Sequence, residues 1–278
     1  MGQVQFGLLV PEYALDASRR TLYLEDVNRL LAYVKGRFDS AWFIDHLEGH
    51  VLEGWTALTY LSALHPELRC GHSVLCQSFR NPALLAKMGA TLDYLSGGRF
   101  ILGIGAGSSE PEYLAYGYSF PSGGARVAEL DEALHIIKAM WTQERATFEG
   151  RYHRVEEAWC EPKPEHMPTI MVGAFKPKML RLTAKHADWW NVSSTGLGEY
   201  RRYVQEFERA CDEVRRDPAT VRRVWGGGCV CAPTEAGVKD LAAGRLPGRR
   251  LRIPAGGGLC RHAGADRRAD ATVHRTGR

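Results

Sequence analysis

The stretch GGRFILGIGAGSSEPEY, residues 97–113, sets three glycines, Gly103, Gly105 and Gly107, at alternating positions after an apolar run. A dinucleotide-binding loop would need the spacing G-x-G-x-x-G after the first strand, with an acidic residue about 20 positions later. Here the spacing is G-x-G-x-G, on the fourth predicted strand, and a long loop precedes the next helix. The glycines instead indicate a strand whose carboxyl end admits something close to the backbone, or one in which Gly103 and Gly105 only make room for packing.

Similar apolar runs recur on both sides of this stretch and alternate with helical patterns. Strands are predicted at residues 4–10, 40–46, 70–76, 100–107, 169–175, 189–194 and 224–231. Several of them lack polar alternation, which is typical of parallel strands buried on both faces. Apolar residues at helical spacing predict helices at 21–35, 55–64, 82–96, 125–142, 177–187 and 199–216. Asn81 as a cap and Gly97 past the end delimit the third of these helices.

The repeated strand–helix order defines the predicted fold class. Seven strands by residue 231 leave room for an eighth unit, so we expect an α/β architecture, a (β/α)8 TIM barrel, rather than an open doubly wound sheet. Two connections interrupt the rhythm: a Pro/Gly/Tyr-rich loop at 108–124, and a hairpin within 143–168 that turns at Glu149-Gly150. Long loops in compact domains usually serve function.

Composition narrows the class of protein further. The chain has 278 residues, 45% of them apolar, and a net charge of +4, which is typical of a globular protein and does not by itself indicate a nucleic-acid partner. It has no apolar run long enough for a membrane span, and the amino terminus lacks the features of a signal peptide. The seven cysteines are scattered, so we expect reduced thiols and a cytoplasmic protein.

Long segments around the glycine stretch resemble one known family in the same order. They cover residues 72–93, 93–155 and 168–194, and the resemblance runs from about residue 3 to about residue 243. The chain resembles the luciferase-like monooxygenases and, within that superfamily, the flavin- or deazaflavin-dependent oxidoreductases. The resemblance implies a (β/α)8 barrel with insertions that binds coenzyme F420, or alternatively FMN, at the carboxyl ends of its strands.

The same resemblance assigns two catalytic candidates after the second strand. Asp45 and His46, in WFIDHL, match the Asp-His pair of the deazaflavin branch, in which the histidine lies near the reactive carbon of the cofactor. An imidazole there can donate a hydrogen bond or move a proton during hydride transfer, and Asp45 would fix its tautomer. On residue types alone, the other reading of His46 is a satisfied histidine at a strand end.

The cofactor-binding candidates are also implied by the resemblance. A non-proline cis peptide bond at Ser73–Val74 would carry the ring, with Cys76 at the ring edge. Loops after the later strands would contact the ring, the ribityl chain and the phosphate, and the helix beginning near Pro177 would face the phosphate. The residues of these loops are Ala106, Gly107 and Ser108; Gly173, Ala174 and Phe175; and Ser194, Thr195 and Gly196. Without the family, Cys76 is equally a small buried hydrophobe and each loop an ordinary turn.

Other residues near the predicted strand ends are candidates for the substrate side or for a metal site. Glu12 would line the substrate side, and Tyr113, Tyr116 and Tyr118 would either shape a substrate cleft or pack the loop onto the barrel. We predict no metal site, because His65, Cys70, His72 and Cys76 have poor ligand spacing for zinc.

Residues 245–278 depart from the family pattern. They hold nine arginines, no lysine and no aromatic residue, with no helix-length apolar stripe and no strand like the other seven. We therefore predict a barrel domain at 1–244, incomplete at its carboxyl end, followed by an aberrant tail at 245–278. A shifted reading frame in a GC-rich gene would explain the tail; a genuine basic arm that binds a polyanion is the alternative.

The predicted function is hydride transfer between F420 and a small organic substrate. The first alternative is an FMN-dependent monooxygenase that uses molecular oxygen. The second is an inactive remnant or a cofactor-binding protein, which the tail motivates. We expect neither a nucleic-acid partner nor a membrane, and a homodimer on the family pattern.

Overall fold

The computed structural model of the chain describes residues 4–11, 20–49, 51–232, 234–242 and 259–262. Its strands are β1 (Gly7–Leu9), β2 (Ser40–Phe43), β3 (Arg69–His72), β4 (Leu75–Cys76), β5 (Phe100–Gly105), β6 (Arg145–Glu149), β7 (Arg154–Trp159), β8 (Thr169–Gly173), β9 (Trp189–Ser193), β10 (Arg222–Gly226), β11 (Cys229–Ala232) and β12 (Leu259–His262). Its helices are α1 (Arg20–Val34), α2 (Gly54–Leu64), α3 (Pro82–Ser96), α4 (Glu110–Ala115), α5 (Gly123–Thr142), α6 (Pro177–His186), α7 (Leu197–Glu213) and α8 (Glu235–Ala242).

The main sheet keeps its strands in chain order. Its path is β1-β2-β3-β5-β8-β9-β10, with β4 beside β5, and the pairs from β1 to β9 are parallel. In a doubly wound sheet the strand order reverses at a switch point, so neighbouring strands do not all follow one another in the chain. In a βα-barrel each strand pairs with the next one along the chain. The predicted barrel class is therefore confirmed against the open sheet.

The helix ends follow from the residues that the sequence places there. The Asn81 side chain accepts hydrogen bonds from the Ala83 and Leu84 backbone N–H groups, with Pro82 at the first helical position of α3. Gly97 ends α3 in the left-handed region at φ 67°, a conformation that glycine adopts without a steric penalty. Both predicted ends of this helix are confirmed.

The inside of the sheet is closed by a small apolar layer. Trp42 on β2, Ile101 on β5 and Met171 on β8 form its buried centre. Half-buried Val74 packs against this layer from the loop after β3. Side chains on alternate strands that meet in layers fill the interior of such a barrel, so this interior is a packed core rather than a pore.

Three local features differ from the sequence prediction. The loop at 108–124 contains the short helix α4, and the predicted strand at 224–231 is divided into β10 and β11. The segment after 245 contains a strand, β12, where none is predicted, because the arginine- and glycine-rich composition around it hides the strand. The hairpin at β6–β7 is confirmed, with the Gly150 N–H donating to the His153 carbonyl at 3.0 Å across the turn.

The chain divides into two compact units. The first comprises residues 1–191 and 206–224, and the second comprises 192–205 and 225–278. In the second unit β11 and β12 pair in parallel, and α8 lies between them in the chain. The predicted boundary at 244/245 stays a prediction.

Candidate active site

An exposed histidine beside a buried carboxylate stands at the carboxyl end of β2. The His46 side chain is 53% exposed, and its Nδ1 atom lies 3.3 Å from Oε1 of Glu112, whose side chain is only 6% exposed. Glu112 belongs to α4 and also accepts the backbone N–H groups of Leu47 and Glu48, at 2.6 and 3.2 Å. One carboxylate therefore fixes both the His46 ring and the backbone that follows it.

Asp45 has a different role from the one predicted for it. Its buried carboxylate accepts two hydrogen bonds from the Arg80 guanidinium, both at 2.8 Å, and one from the Cys76 backbone N–H at 2.9 Å. The prediction that Asp45 fixes the His46 tautomer is wrong, because these donors occupy its oxygens and Glu112 faces the ring instead. Asp45 joins the end of β2 to β4.

Arg80 extends this ion pair to the start of α2. Its Nη2 atom lies 2.5 Å from Glu53, which caps α2 by accepting the N–H groups of Trp55 and Thr56. Burial alone would raise the pKa of Glu53, but the hydrogen bonds from Thr56 and Trp55 and the Arg80 charge outweigh it and lower that pKa to about 2. Arg80 therefore joins the loops after β2 and β4 through its ion pairs with Asp45 and Glu53.

Val74 forms an apolar platform at the same end of the sheet. The Ser73–Val74 peptide bond is cis, as the family resemblance implies. A Cβ atom at Gly105 would lie 2.9 Å from a Val74 methyl group, and one at Gly173 would lie 3.1 Å from the same methyl. These glycines on β5 and β8 leave the space that the Val74 side chain occupies, so Gly105 serves packing, and a Cβ at Gly103 would meet the His72 carbonyl.

Cys76 and Gly107 lie against a buried tyrosine and do not face an open edge of the site. The Cys76 Sγ atom lies 3.0 Å from the hydroxyl of Tyr113, which is fully buried and donates to Ser78 at 3.0 Å. Burial raises the pKa of the Cys76 thiol, which keeps it protonated and unreactive. Gly107, at φ +75°, leaves room for this tyrosine hydroxyl.

The remaining candidates on the β5 loop lie beside this network. The Ala106 carbonyl is 3.4 Å from the Tyr113 hydroxyl, and Ser108 is exposed. Tyr113 packs on Phe79, and the Tyr118 hydroxyl donates to the Phe79 carbonyl at 3.2 Å. These tyrosines pack the loop onto the barrel, which is the second of the two roles foreseen for them.

The turn after β8 offers fewer free backbone groups than predicted. The Ala174 N–H donates to the Asn191 carbonyl at 3.0 Å, so it is engaged in the sheet and does not face a phosphate. The Ala174 carbonyl accepts the indole N–H of Trp190 at 2.8 Å. Gly173 is half-buried and Phe175 is exposed, and no side chain caps the following helix α6 at Lys176.

The turn after β9 belongs to the second unit. The Ser194 N–H donates to the Gly226 carbonyl at 2.8 Å, and Ser194 has a positive φ of 58°. Thr195 is buried, and among the described residues its hydroxyl oxygen has no hydrogen-bond partner. Gly196 accepts from the Tyr200 N–H at 2.9 Å at the start of α7.

Two residues central to the site were not singled out from the sequence. Glu112 lies in the opening stretch itself, but its contact with His46 joins positions far apart in the chain. Arg80 follows β4, and no local pattern shows that it pairs with Asp45. Glu12 lies outside the described residues.

None of the helices that the structure describes is long and apolar enough to cross a bilayer.

These features define a parallel βα-barrel protein with a histidine–carboxylate pair, His46 and Glu112, at the carboxyl ends of its strands. The chain belongs to the luciferase-like monooxygenase family, whose model matches residues 30–275. This match includes residues 245–275, although the resemblance described above ends near residue 243.

Relatives and solved structures agree with this family and fold. The F420-dependent glucose-6-phosphate dehydrogenase of Kineococcus radiotolerans is 36% identical over 167 residues, 58% of this chain and 49% of the relative. An F420-dependent secondary alcohol dehydrogenase, solved with an F420–acetone adduct, superposes with a TM-score of 0.74 at 21% identity, covering 91% of this chain and 78% of that one. The monooxygenase RslO1 of Streptomyces bottropensis gives 0.74 at 19% identity, covering 86% and 75%. The chain spans about half the length of the curated relatives it matches.

Proposed function

We propose that this chain is an F420-dependent oxidoreductase that transfers a hydride to or from a small organic substrate. The observation that carries the proposal is the exposed His46 ring held by buried Glu112 at the strand ends. Two relatives that are 36% and 35% identical to the chain over their aligned residues are F420-dependent dehydrogenases, which favours F420 over FMN.

The described residues fit a flat, polar-edged cofactor. Half-buried Val74 presents an apolar surface above the core layer, with no side chain at Gly105 or Gly173 to displace it. Within the second unit, the buried Thr195 hydroxyl has no hydrogen-bond partner among the residues that the structure describes, as expected of a group that binds a ligand. We propose Ser73, Val74, Ala106, Gly107 and Ser108 as the ring-side contacts.

The phosphate side is proposed from the remaining loops. Gly173 and Phe175 and the amino end of α6 would face the anionic part of the cofactor, because uncapped helix N–H groups and the helix dipole favour negative charge. In the second unit, we propose Ser194, Thr195 and Gly196 as cofactor-binding candidates on the family resemblance alone. Cys76 and Ala174 are the weakest candidates, since Tyr113 and Asn191 already engage them.

The proposed roles follow from what each residue can do. Bound F420 would supply a ring carbon that carries the hydride, and the protein would supply position and proton transfer. His46 would exchange a proton with the substrate oxygen as the hydride moves. Glu112 would hold the imidazole so that Nδ1 donates to the carboxylate and Nε2 faces the substrate.

A comparative titration tests the choice of cofactor. The purified chain is mixed with F420 or with FMN, and the quenching of cofactor fluorescence is followed to saturation. Saturable binding of F420 and weaker binding of FMN is the expected result. Tighter FMN binding, with oxygen uptake after the bound FMN has been reduced, would support the monooxygenase alternative. Binding of neither cofactor would support the inactive remnant.

The remaining expectations form part of the same proposal. We propose a cytoplasmic protein that takes a small-molecule substrate, binds neither nucleic acid nor membrane, and forms a homodimer. Sedimentation of the purified chain at several concentrations tests the dimer, since a single species of about 31 kDa at all of them would contradict it.

A further inference from the structure

Two outer helices bring a carboxylate and two imidazoles together, apart from the His46 site. Asp131 and His135 are one turn apart on α5 and therefore share a face of that helix. His186 is the last residue of α6. One possible ligand atom from each of the three lies within 4.8 Å of the other two.

The hydrogen bonds of this cluster leave suitable atoms for a metal ion. His186 is buried, and its Nε2 atom lies 2.8 Å from Oδ1 of Asp131. His135 Nδ1 lies 2.8 Å from the Asp131 carbonyl oxygen, which can only accept, so Nδ1 carries the proton and Nε2 keeps its lone pair. The His135 ring stacks on Phe148, at a centroid distance of 6.1 Å, and meets the His186 ring edge-on at 4.7 Å.

We propose that Asp131, His135 and His186 bind a divalent transition metal ion of the zinc class. Two imidazoles and one carboxylate are a ligand set that such ions accept, with a fourth position left for water. Ligands of one zinc ion lie roughly 3–4 Å apart, given bond lengths of about 2 Å. The 2.8 Å pair of His186 and Asp131 must therefore open slightly, and His135 must approach it. His135 is exposed and can rotate inward, and the ion takes the place of the proton between His186 and Asp131.

Two lysine ammonium groups near the cluster weaken the binding of a cation there. Lys185 Nζ lies 3.9 Å from Asp131 Oδ1, and Lys138 Nζ donates to the His186 carbonyl at 2.9 Å. Both ammonium groups repel a cation. We therefore expect Lys185→Gln to strengthen metal binding, because this lysine competes for the carboxylate.

Equilibrium dialysis of the untagged, full-length chain against zinc chloride tests the proposal. The wild type is compared with His135→Ala and Asp131→Asn, and with His166→Ala, which removes an exposed histidine elsewhere. All variants keep every cysteine, so zinc held by thiolates would be retained in all of them. Circular dichroism without metal checks that each variant folds.

The expected result is one zinc ion bound per wild-type and His166→Ala chain, with a rise in thermal midpoint on adding zinc. His135→Ala and Asp131→Asn should lose affinity by more than the roughly 10–100-fold that removal of an outer partner costs. Wild-type affinity in folded His135→Ala, or no stoichiometric zinc in the wild type, would overturn the proposal. Neither result bears on the cofactor titration.

Discussion

At the scale of the residue, the position and tautomer of His46 depend on Glu112. A carboxylate that accepts the Leu47 and Glu48 N–H groups is an acceptor, so the ring atom facing it must donate. The Nδ1–H tautomer follows, with the Nε2 lone pair directed away from Glu112. No pattern around His46 in the sequence shows this, and Asp45, its neighbour in the chain, points to Arg80 instead.

The tautomer is a direct prediction for nitrogen NMR of the imidazole. In the wild type at a pH where His46 is neutral, we expect a protonated Nδ1 and an unprotonated Nε2. Glu112→Gln should shift both ring nitrogen signals, because the charged acceptor is lost, whereas Glu110→Gln on the same helix should not. A neutral ring protonated at Nε2 in the wild type would contradict this account of the site.

Gly107 gives a second prediction at this scale, with Gly117 as its matched control. Both glycines have φ near +75°, so alanine is strained at either position, at a cost of about 1–3 kcal/mol. An alanine Cβ at Gly107 would also overlap the Tyr113 hydroxyl and lie 2.8 Å from Cys76 Sγ, whereas Gly117 has open space. Tyr113 is fully buried and hydrogen-bonded, so it cannot move away cheaply.

We therefore expect Gly107→Ala to lower the free energy of unfolding by about 1–3 kcal/mol more than Gly117→Ala, since overpacking adds to the backbone strain. Urea unfolding of both variants and the wild type measures the difference. Equal losses in the two variants would show that the space around Gly107 is not filled as described.

At the scale of the element, the packing of α2 on β3 contains a histidine whose protonation is strongly disfavoured. His72 is fully buried and stacks on Trp55 with ring centroids 5.4 Å apart. Among the described residues, neither ring nitrogen has a hydrogen bond of normal geometry. Burial lowers the pKa of His72 from 6.5 to about 4.

This lowered pKa predicts how stability changes with pH. Between pH 6.5 and about 4 the unfolded chain binds a proton at His72 and the folded chain does not, so acidification favours unfolding. Below the pKa that His72 has in the folded chain, its contribution to the free energy of unfolding is lost completely. For a shift of this size that contribution is about 3 kcal/mol. The stabilising contribution is fully present above pH 6.5.

His72→Phe should remove this part of the pH dependence, because phenylalanine keeps the stacked ring without a titrating group. The free energy of unfolding, measured from pH 7.5 to 4, should fall less in the variant than in the wild type. His166→Ala is the control, because it removes an exposed histidine that lies outside this packing. Parallel curves for His72→Phe and the wild type would contradict the assignment.

The elements themselves were largely predictable because their signals are local. Asn81, Pro82 and Gly97 delimit α3 through caps that depend only on neighbouring backbone groups. The helix α4 was missed, since six residues within a Pro/Gly-rich loop carry less than two turns of periodicity. It is nevertheless the element that brings Glu112 and Tyr113 into the site.

At the scale of the whole molecule, the strand–helix rhythm was sufficient to predict the barrel class. Parallel strands in chain order follow from repeated right-handed βα units, and the family match confirms the class. The carboxyl-terminal segment was less predictable, because its arginine- and glycine-rich composition hides β12. The shifted reading frame stays a prediction: resequencing the gene should show a frame change near codon 245, and an unbroken frame would refute it.

The central claim is that F420 binds over Val74 at the carboxyl ends of the strands. It is tested most directly by methyl NMR of the valine-labelled chain during an F420 titration, since a ring lying on a methyl group shifts its resonance. The Val74 methyl signals should move and saturate together with F420 fluorescence quenching, while those of Val155 on β7 should stay in place. Saturable F420 binding with unmoved Val74 signals would contradict it.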